Sequence, residues 1–561
     1  MRILLLSTSY NMLTQLIHAH LRESNFDVSV TLSLSDDHLR NAVKTFRPDL
    51  IICPFLKERI PDDVYSHIPC VIIHPGIVGD RGPSSLDWAI IQEEKEWGVT
   101  AITAAEKFDE GAIWATHTFP MRKAAKASIY RHEVATAALL LVDEVIQRFA
   151  SGDSPTPIEE WKGEIRGTAK EPMRQMERAI DWAHDTTDVI LRKMNSAESS
   201  PGVLDQLLGE ERYLYGPHKE GKLRGPTAGA IIGTRNKAIC RATIDGAIWI
   251  THLKNKTPLS IKLPAMMVLG DAVKGVPAYP LPLLSAETPE TNQDIWYEEK
   301  NSVGYLHFDF YSGAMGPDEC ARLTGAIREA KKRPTRVLAL MGGTEFWSNG
   351  MYLHEIEADA NPAERSWQNI NAMDDMVKEI ITLETQITIS AVYGGAGAGG
   401  AIMALASDVV CGRSRGILNP HYRAMGLYGS EYWTYLLPRR VGKRKAIEIT
   451  HISLPIVAAE AKRIGLIDHI LSDNRTEFVD QVHEIAEAIA GAPDFNEQLA
   501  RKHNARATDE ATKPLESYRN EELEQMKKNF LGQSFAGVSY DKYRERFVRK
   551  LRPEKIPVNL T

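Results

Sequence analysis

A chain of 561 residues, 43% of them hydrophobic, is too long for one core and rich enough in apolar residues for several, so about three or four domains are expected. With 25% charged residues and a formal net charge of -7, the sequence argues against a general nucleic-acid binder, and no apolar run is long enough to span a bilayer. The five cysteines, Cys53, Cys70, Cys240, Cys320 and Cys411, form no C-x-x-C pair, which favours reduced, buried thiols in a cytoplasm over disulfides or a zinc site, and no metal is expected.

From residue 2 to residue 150 apolar runs alternate with amphipathic stretches. Residues 3–6, 28–32, 50–54, 70–74 and 99–104 read as strands, and 12–23 and 38–46 as helices. Strands and helices alternating over short connections predict a parallel, doubly wound sheet, whose ligands bind beyond the carboxyl ends of its strands. His74 stands at such an end in V-I-I-H-P-G, and Asp109 follows in K-F-D-E-G. A strand-end histidine with a carboxylate on a later loop is a workable proton-transfer pair, because imidazole titrates near neutrality. On spacing alone, a surface or capped histidine is the competing reading.

The segments H-P-G-I-V-G-D-R-G-P-S-S-L-D-W-A-I, G-V-T-A-I-T and F-D-E-G resemble the folate-dependent formyltransferases. That resemblance implies a site for the formyl group of 10-formyltetrahydrofolate. His74 would be its general acid/base, Asp109 the carboxylate orienting it, and Arg81 and Gly82 part of the binding loop. Ile72 occupies the place of that family's asparagine. An amide that polarises the formyl carbonyl is thereby missing, an effect worth about 3 kcal/mol in other enzymes.

A turn-rich break at residues 151–157 leads to a helical reading over 173–194 and strand-like runs at 228–232, 238–244, 247–253 and 259–263. R-A-I-D-W-A and S-S-P-G-V resemble the connection into the small C-terminal barrel of the same formyltransferases, and short strands with glycine turns suit a small β-barrel. The basic residues Lys219, Lys222, Arg224, Arg235 and Lys237 read as a solvated surface. After a proline-rich patch at 277–282 the pattern restarts, with strands at 303–310 and 337–341, helices at 318–332 and 367–382, and a strand at 387–392.

Five glycines follow that last strand between Gly394 and Gly400, and a small-residue helix begins near Gly400. Glycine is kept where backbone must approach a ligand, and a helix start offers bare N–H groups to an anion or a polarised oxygen. Gly395, Gly397 and Gly400 formally satisfy G-x-G-x-x-G. A dinucleotide site, however, needs an acidic residue about 20 positions on, where this chain has Asn419 and Pro420.

F-W-S-N-G-M and A-V-Y-G-G-A-G-A-G-G-A together resemble the two oxyanion loops of the enoyl-CoA hydratase/isomerase (crotonase) family. The resemblance implies that the N–H groups of Met351 and Gly399 grip a thioester carbonyl, with Gly350 and Gly400 beside the coenzyme A. Ile402 and His421 stand where hydratases carry their two glutamates, so ordinary hydration is not expected. Tyr422, Tyr428, Glu431 and Tyr432 lie where the acyl end would reach, and Tyr422 and Glu431 are the proton-handling candidates; the tyrosine spacing also suits a packed amphipathic helix. From residue 476 the chain reads as charged helices, ending in a basic segment with Arg544, Arg546, Arg549 and Lys550. Arg546 could meet coenzyme phosphates, and a solvated helix is the alternative.

The expected fold class is α/β multidomain. It comprises a doubly wound formyltransferase-like domain (1–160), a linker helix and small β-barrel (161–285), a crotonase-like ββα spiral domain (286–475) and a C-terminal helical extension (476–561). The fused order, L-N-P-H-Y-R and G-S-E-Y-W-T-Y-L-L-P-R-R-V-G resemble the HypX (HoxX) family of hydrogenase maturation factors. That family implies synthesis of the carbon monoxide ligand of the nickel-iron centre, by formyl transfer from 10-formyltetrahydrofolate to coenzyme A and lyase-type decarbonylation of formyl-CoA. Its implied partners are small-molecule substrates and hydrogenase large-subunit maturation proteins, with neither nucleic acid nor membrane. Two rivals are a formyltransferase/acyl-CoA enzyme acting on another amine, and a non-catalytic folate or CoA carrier.

Overall fold

The computed structural model describes residues 1–551 and Pro553; Arg552 and the last eight positions of the C-terminal extension, 554–561, lie outside the described residues. The chain divides into two compact units, Met1–Tyr279 and Pro280–Leu551. Among the described residues no helix is long and apolar enough to cross a membrane, and all five cysteines are free and buried.

The first unit opens on a six-stranded sheet in the order Asp27–Leu32, Arg2–Ser7, Leu50–Phe55, Cys70–His74, Glu96–Thr103, Ile113–Pro120. The apolar runs I-L-L-L and L-I-I-C are fully buried, as strands covered on both faces must be. Asn11 caps the first helix, Met12–Glu23, and Ser35 the second, Asp36–Phe46. Only the first four strands pair in parallel, because Glu96–Thr103 runs antiparallel to both its neighbours. The expected all-parallel sheet is therefore mixed at one edge, and Ile113–Pro120 is a strand the pattern did not reveal.

A second, antiparallel sheet of this unit has the order Val203–Leu207, Glu210–Glu220, Ala247–Asn255, Ala238–Ala242, Ile231–Arg235, with Leu263–Pro264 beside Ala247–Asn255. Among the described residues no pairing closes it, so the expected barrel is an open sheet. Its core packs Ile190, Met194 and Ala197 of helix Thr187–Ala197 against Val203, Leu214, Ile248 and Ile250. The helix expected over 173–194 starts only at Thr187. Before it, Trp182 is held by Asp205 at 3.1 Å and lies under the Arg241 guanidinium at 3.7 Å, tertiary contacts that replace helical ones. Arg235, read as solvated, is buried 4.6 Å over the Trp249 ring.

The second unit repeats one theme: a strand in a large sheet, a short strand in a smaller one, then a helix. The large sheet runs Ile295–Lys300, Val303–Phe308, Val337–Leu340, Ile387–Val392, Val409–Arg413, His469–Leu471, all parallel after its first hairpin. The small one runs Phe346–Ser348, Gly395–Gly397, Ile417–Asn419, Ile456–Val457. Each glycine-rich crossover thus passes from a core strand to a short one, which puts the two loops expected to hold an oxyanion on neighbouring short strands. Helix Arg475–Gly491 covers the large sheet with Phe478, Val482 and Ala486. Helices Phe495–Thr512, Leu515–Phe530 and Tyr540–Arg549 complete the unit.

Candidate functional site

In the first unit His74 ends its strand and is 6% exposed. The loop after it is pinned from several directions: Ser85 Oγ and Trp97 Nε1 donate to the Pro75 carbonyl at 2.7 and 3.0 Å, and Thr100 Oγ1 donates to the Gly76 carbonyl at 2.8 Å. This turn brings Asp80 back so that its Oδ2 lies 2.9 Å from His74 Nε2. Asp109 Oδ1 stands 3.5 Å from the other ring nitrogen, Nδ1. The imidazole therefore lies between two carboxylates, each facing one of its ring nitrogens.

Asp109 adopts left-handed backbone, φ +57°, and its Oδ2 accepts the Gly82 N–H at 3.1 Å. Arg81 turns away to Glu110, 2.6 Å from its Oε1. The structure thus brings His74, Asp109 and Gly82 together and sends the Arg81 guanidinium elsewhere. Asp80 was missed, although it sits six residues beyond His74 in the same H-P-G-I-V-G-D run. Its side chain is 1% exposed, and its Oδ1 is buried with no hydrogen-bond partner among the described residues. A buried acceptor left bare fits a ligand that brings a donor, such as an amine N–H or a thiol. Ile72 packs with Val78, Ile102, Ile113 and Trp161, so its place supplies no polarising amide.

In the second unit the two glycine loops meet. Gly350 has φ +75°, and a Cβ there would lie 3.4 Å from the Gly399 nitrogen. A Cβ on Gly400 would collide with the Ser348 carbonyl, so Gly400 lets the loops close rather than facing a ligand. Gly399 begins helix Gly399–Ala404, and neither its N–H nor that of Met351 donates a hydrogen bond among the described residues. Two bare amides on adjoining loops suit a carbonyl oxygen that gains negative charge.

Against this pair lies Glu431. A Cβ on Gly399 would collide with both its carboxyl oxygens. Tyr422 donates its hydroxyl to Glu431 Oε2 at 2.6 Å, and both residues are buried. Burial, and after it the charge of Asp374, push the Glu431 carboxyl up to about 8, so it retains a proton at neutral pH. Asp374 itself, 0% exposed on helix Pro362–Ile381, accepts the Glu431 N–H at 2.9 Å. The sequence shows it as one of a pair of charges on an amphipathic helix, with no sign of which turns inward.

Ile402 is fully buried, and His421, with Nδ1 2.7 Å from the Asn419 carbonyl, is held below its usual range by burial. No carboxylate therefore stands at either hydratase position. Tyr428 joins Trp433 and Phe535, with ring centroids 5.5 and 5.8 Å away, apart from the Tyr422–Glu431 pair. On the last helix, Arg544 and Arg549 are tied to Glu357 at 2.9 and 3.0 Å, and Arg546 lies 5.6 Å over the Tyr543 ring. Among the described residues no group of three His, Cys, Asp or Glu could hold a metal ion.

Comparison with known proteins matches both units. Family models for formyl transferase fit residues 1–145, for the formyl transferase C-terminal domain residues 172–265, and for enoyl-CoA hydratase/isomerase residues 301–552. The chain is 45% identical to the hydrogenase maturation factor HoxX of Bradyrhizobium diazoefficiens, over 100% of this chain and 97% of that one. Crystal structures of HypX from Aquifex aeolicus are similar along 100% of this chain and 98% of theirs at 41% identity. One is a doubly substituted variant (TM-score 0.96) and another is in complex with tetrahydrofolic acid (TM-score 0.95). The paired formyltransferase and crotonase-like halves and the full-length likeness together place the chain in the HypX (HoxX) family of hydrogenase maturation factors.

Proposed function

We propose that the protein makes carbon monoxide for a nickel-iron hydrogenase centre, moving a formyl group from 10-formyltetrahydrofolate to coenzyme A and then splitting the formyl thioester. The observation that carries the second step is the buried Tyr422–Glu431 pair set against Gly399, in a crotonase-like site with Ile402 and His421 at the hydratase positions. Folate as the donor is supported by the formyl transferase match and by the Aquifex relative bound to tetrahydrofolic acid. Coenzyme A is supported by the enoyl-CoA hydratase/isomerase match.

In the first step the thiol attacks the formyl carbon, its proton leaves, and the folate nitrogen departs with a proton. His74 is the group that moves these protons, Asp109 and Asp80 hold its two ring nitrogens, and Gly82 fixes Asp109. The bare Asp80 Oδ1 accepts from the thiol or the departing amine. In the second step the Met351 and Gly399 amides hold the thioester oxygen. Glu431 gives its proton to sulfur as the carbon–sulfur bond breaks and regains one from the formyl carbon, leaving carbon monoxide, free thiol and an unchanged carboxyl. Tyr422 fixes the carboxyl rotamer. The apolar wall at Ile402 keeps out the water that would turn the thioester into formate. Arg546 and Gly350 border the coenzyme, and hydrogenase large-subunit maturation proteins receive the product.

Purified protein given formyl-labelled 10-formyltetrahydrofolate and coenzyme A should release labelled carbon monoxide, trapped by a reduced haem protein. Formate as the sole labelled product contradicts the proposal.

A further inference from the structure

Glu431 and its successor Tyr432 both adopt left-handed backbone, φ +60° and +61°. Neither is glycine, so each is held against its own preference, and two in succession need external support. That support comes from carboxylates on two separate helices. Asp374, on Pro362–Ile381, accepts the Glu431 N–H at 2.9 Å and the Ser430 hydroxyl at 2.9 and 3.0 Å. Glu522, on Leu515–Phe530, accepts the Tyr432 N–H at 2.9 Å and the Thr434 N–H at 2.8 Å, and also takes the Thr434 hydroxyl. Both are 0% exposed.

A neutral amide or hydroxyl could have accepted the same bonds with a far smaller desolvation cost than a carboxylate. With Glu431 the two anchors make three buried carboxyl groups around one turn. The facing groups offset them only in part. Arg519 stands 3.8 Å from Asp374 but is engaged by Asp375 at 2.6 Å, while Tyr422 donates to Glu431 and the Cys320 thiol is held neutral by burial. Carboxylates crowded in this way cannot all ionise, so the cluster retains protons.

We propose that Asp374 and Glu522 are positioning residues for Glu431, which lock its strained turn against Gly399, and that the charge of Asp374 helps that carboxyl hold its proton. The inference rests on the reading of Glu431 as the proton carrier, and it gives helix Leu515–Phe530 of the C-terminal extension a part in that site. The charge of Asp374 stands second to burial among the causes that raise Glu431, and likewise for Glu522.

The test is pH-difference infrared spectroscopy of the full-length protein, with the buried carboxylic acid band assigned to Glu431 by its loss in E431Q. D374N keeps an acceptor oxygen for Ser430 and Glu431 but removes the charge. It should lower the Glu431 midpoint by about one pH unit, and shift the alkaline limb of carbon monoxide release with it at unchanged KM. E522Q, which also keeps its acceptor oxygen, should leave that midpoint in place, because the charge that raises Glu431 is that of Asp374. D374A, which loses the anchor, should cut kcat at least about tenfold at every pH. A midpoint that stays put in D374N, or one that moves as far in E522Q, overturns the inference, whether or not gas is released. A midpoint that moves in protein releasing no carbon monoxide supports the positioning role and rejects the decarbonylation reading.

Discussion

His74 is poised by two carboxylates, Asp80 at 2.9 Å and Asp109 at 3.5 Å, and Asp109 is itself held by the Gly82 N–H of the loop after His74. Replacing His74 by alanine should slow formyl transfer by about 10²–10⁴-fold, the usual worth of a general acid/base, with tetrahydrofolate binding preserved in a fluorescence titration. Retained turnover in H74A would remove the imidazole from the chemistry. In the second unit, a methyl group on Gly399 has no space because the Glu431 carboxyl fills it. G399A should therefore abolish carbon monoxide release while formyl transfer continues, seen as formyl-CoA or its hydrolysis product accumulating. Equal loss of both steps would show that the substitution acts through general misfolding.

At the scale of elements, helices Pro362–Ile381 and Leu515–Phe530 each bury a carboxyl beside the Glu431 turn. Burial raises Asp374 to about 7, Glu431 to about 8 and Glu522 well above its ordinary value. Groups raised on folding contribute stability that is complete below their unfolded values, near pH 4, and is lost as pH rises through the folded ones. The thermal midpoint of the second unit should therefore fall between pH 5 and pH 9, and E522Q should flatten that fall; a midpoint that rises over this range would contradict the assignment. Strands and helices with strong internal periodicity were legible, and Met12–Glu23, Cys70–His74 and Ile387–Val392 match their sequence readings at both ends. What escaped depends on distant partners. The reversed direction of Glu96–Thr103 is written in its pairing with Cys70–His74 and Ile113–Pro120, not in its own residues. Glu210–Glu220 is too polar to read as a strand until Ala247–Asn255 lies beside it. Asp374 and Asp375 look alike in the sequence, and Ser430 and Glu431, more than fifty residues on, decide which is buried. The His74, Asp109, Met351 and Gly399 positions were readable because short motifs carry them. Asp80 was present in such a motif but gave no signal until the loop closed.

At the scale of the molecule, one chain joins a formyl transferase half to a crotonase-like half and is similar along its whole length to HoxX and HypX relatives. Each half carries a buried candidate for proton transfer, His74 or Glu431, so variants should divide the proposed sequence of reactions cleanly. H74A should fail with 10-formyltetrahydrofolate yet still release carbon monoxide from supplied formyl-CoA, and E431Q should show the opposite pattern. The most direct test gives [¹³C]formyl-CoA to wild-type protein and to E431Q and follows gas and solution products together. The account predicts ¹³CO with one equivalent of free thiol from the wild type, and a loss of at least about 10²-fold in E431Q. [¹³C]formate formed at equal rates by both proteins, without ¹³CO, would contradict it.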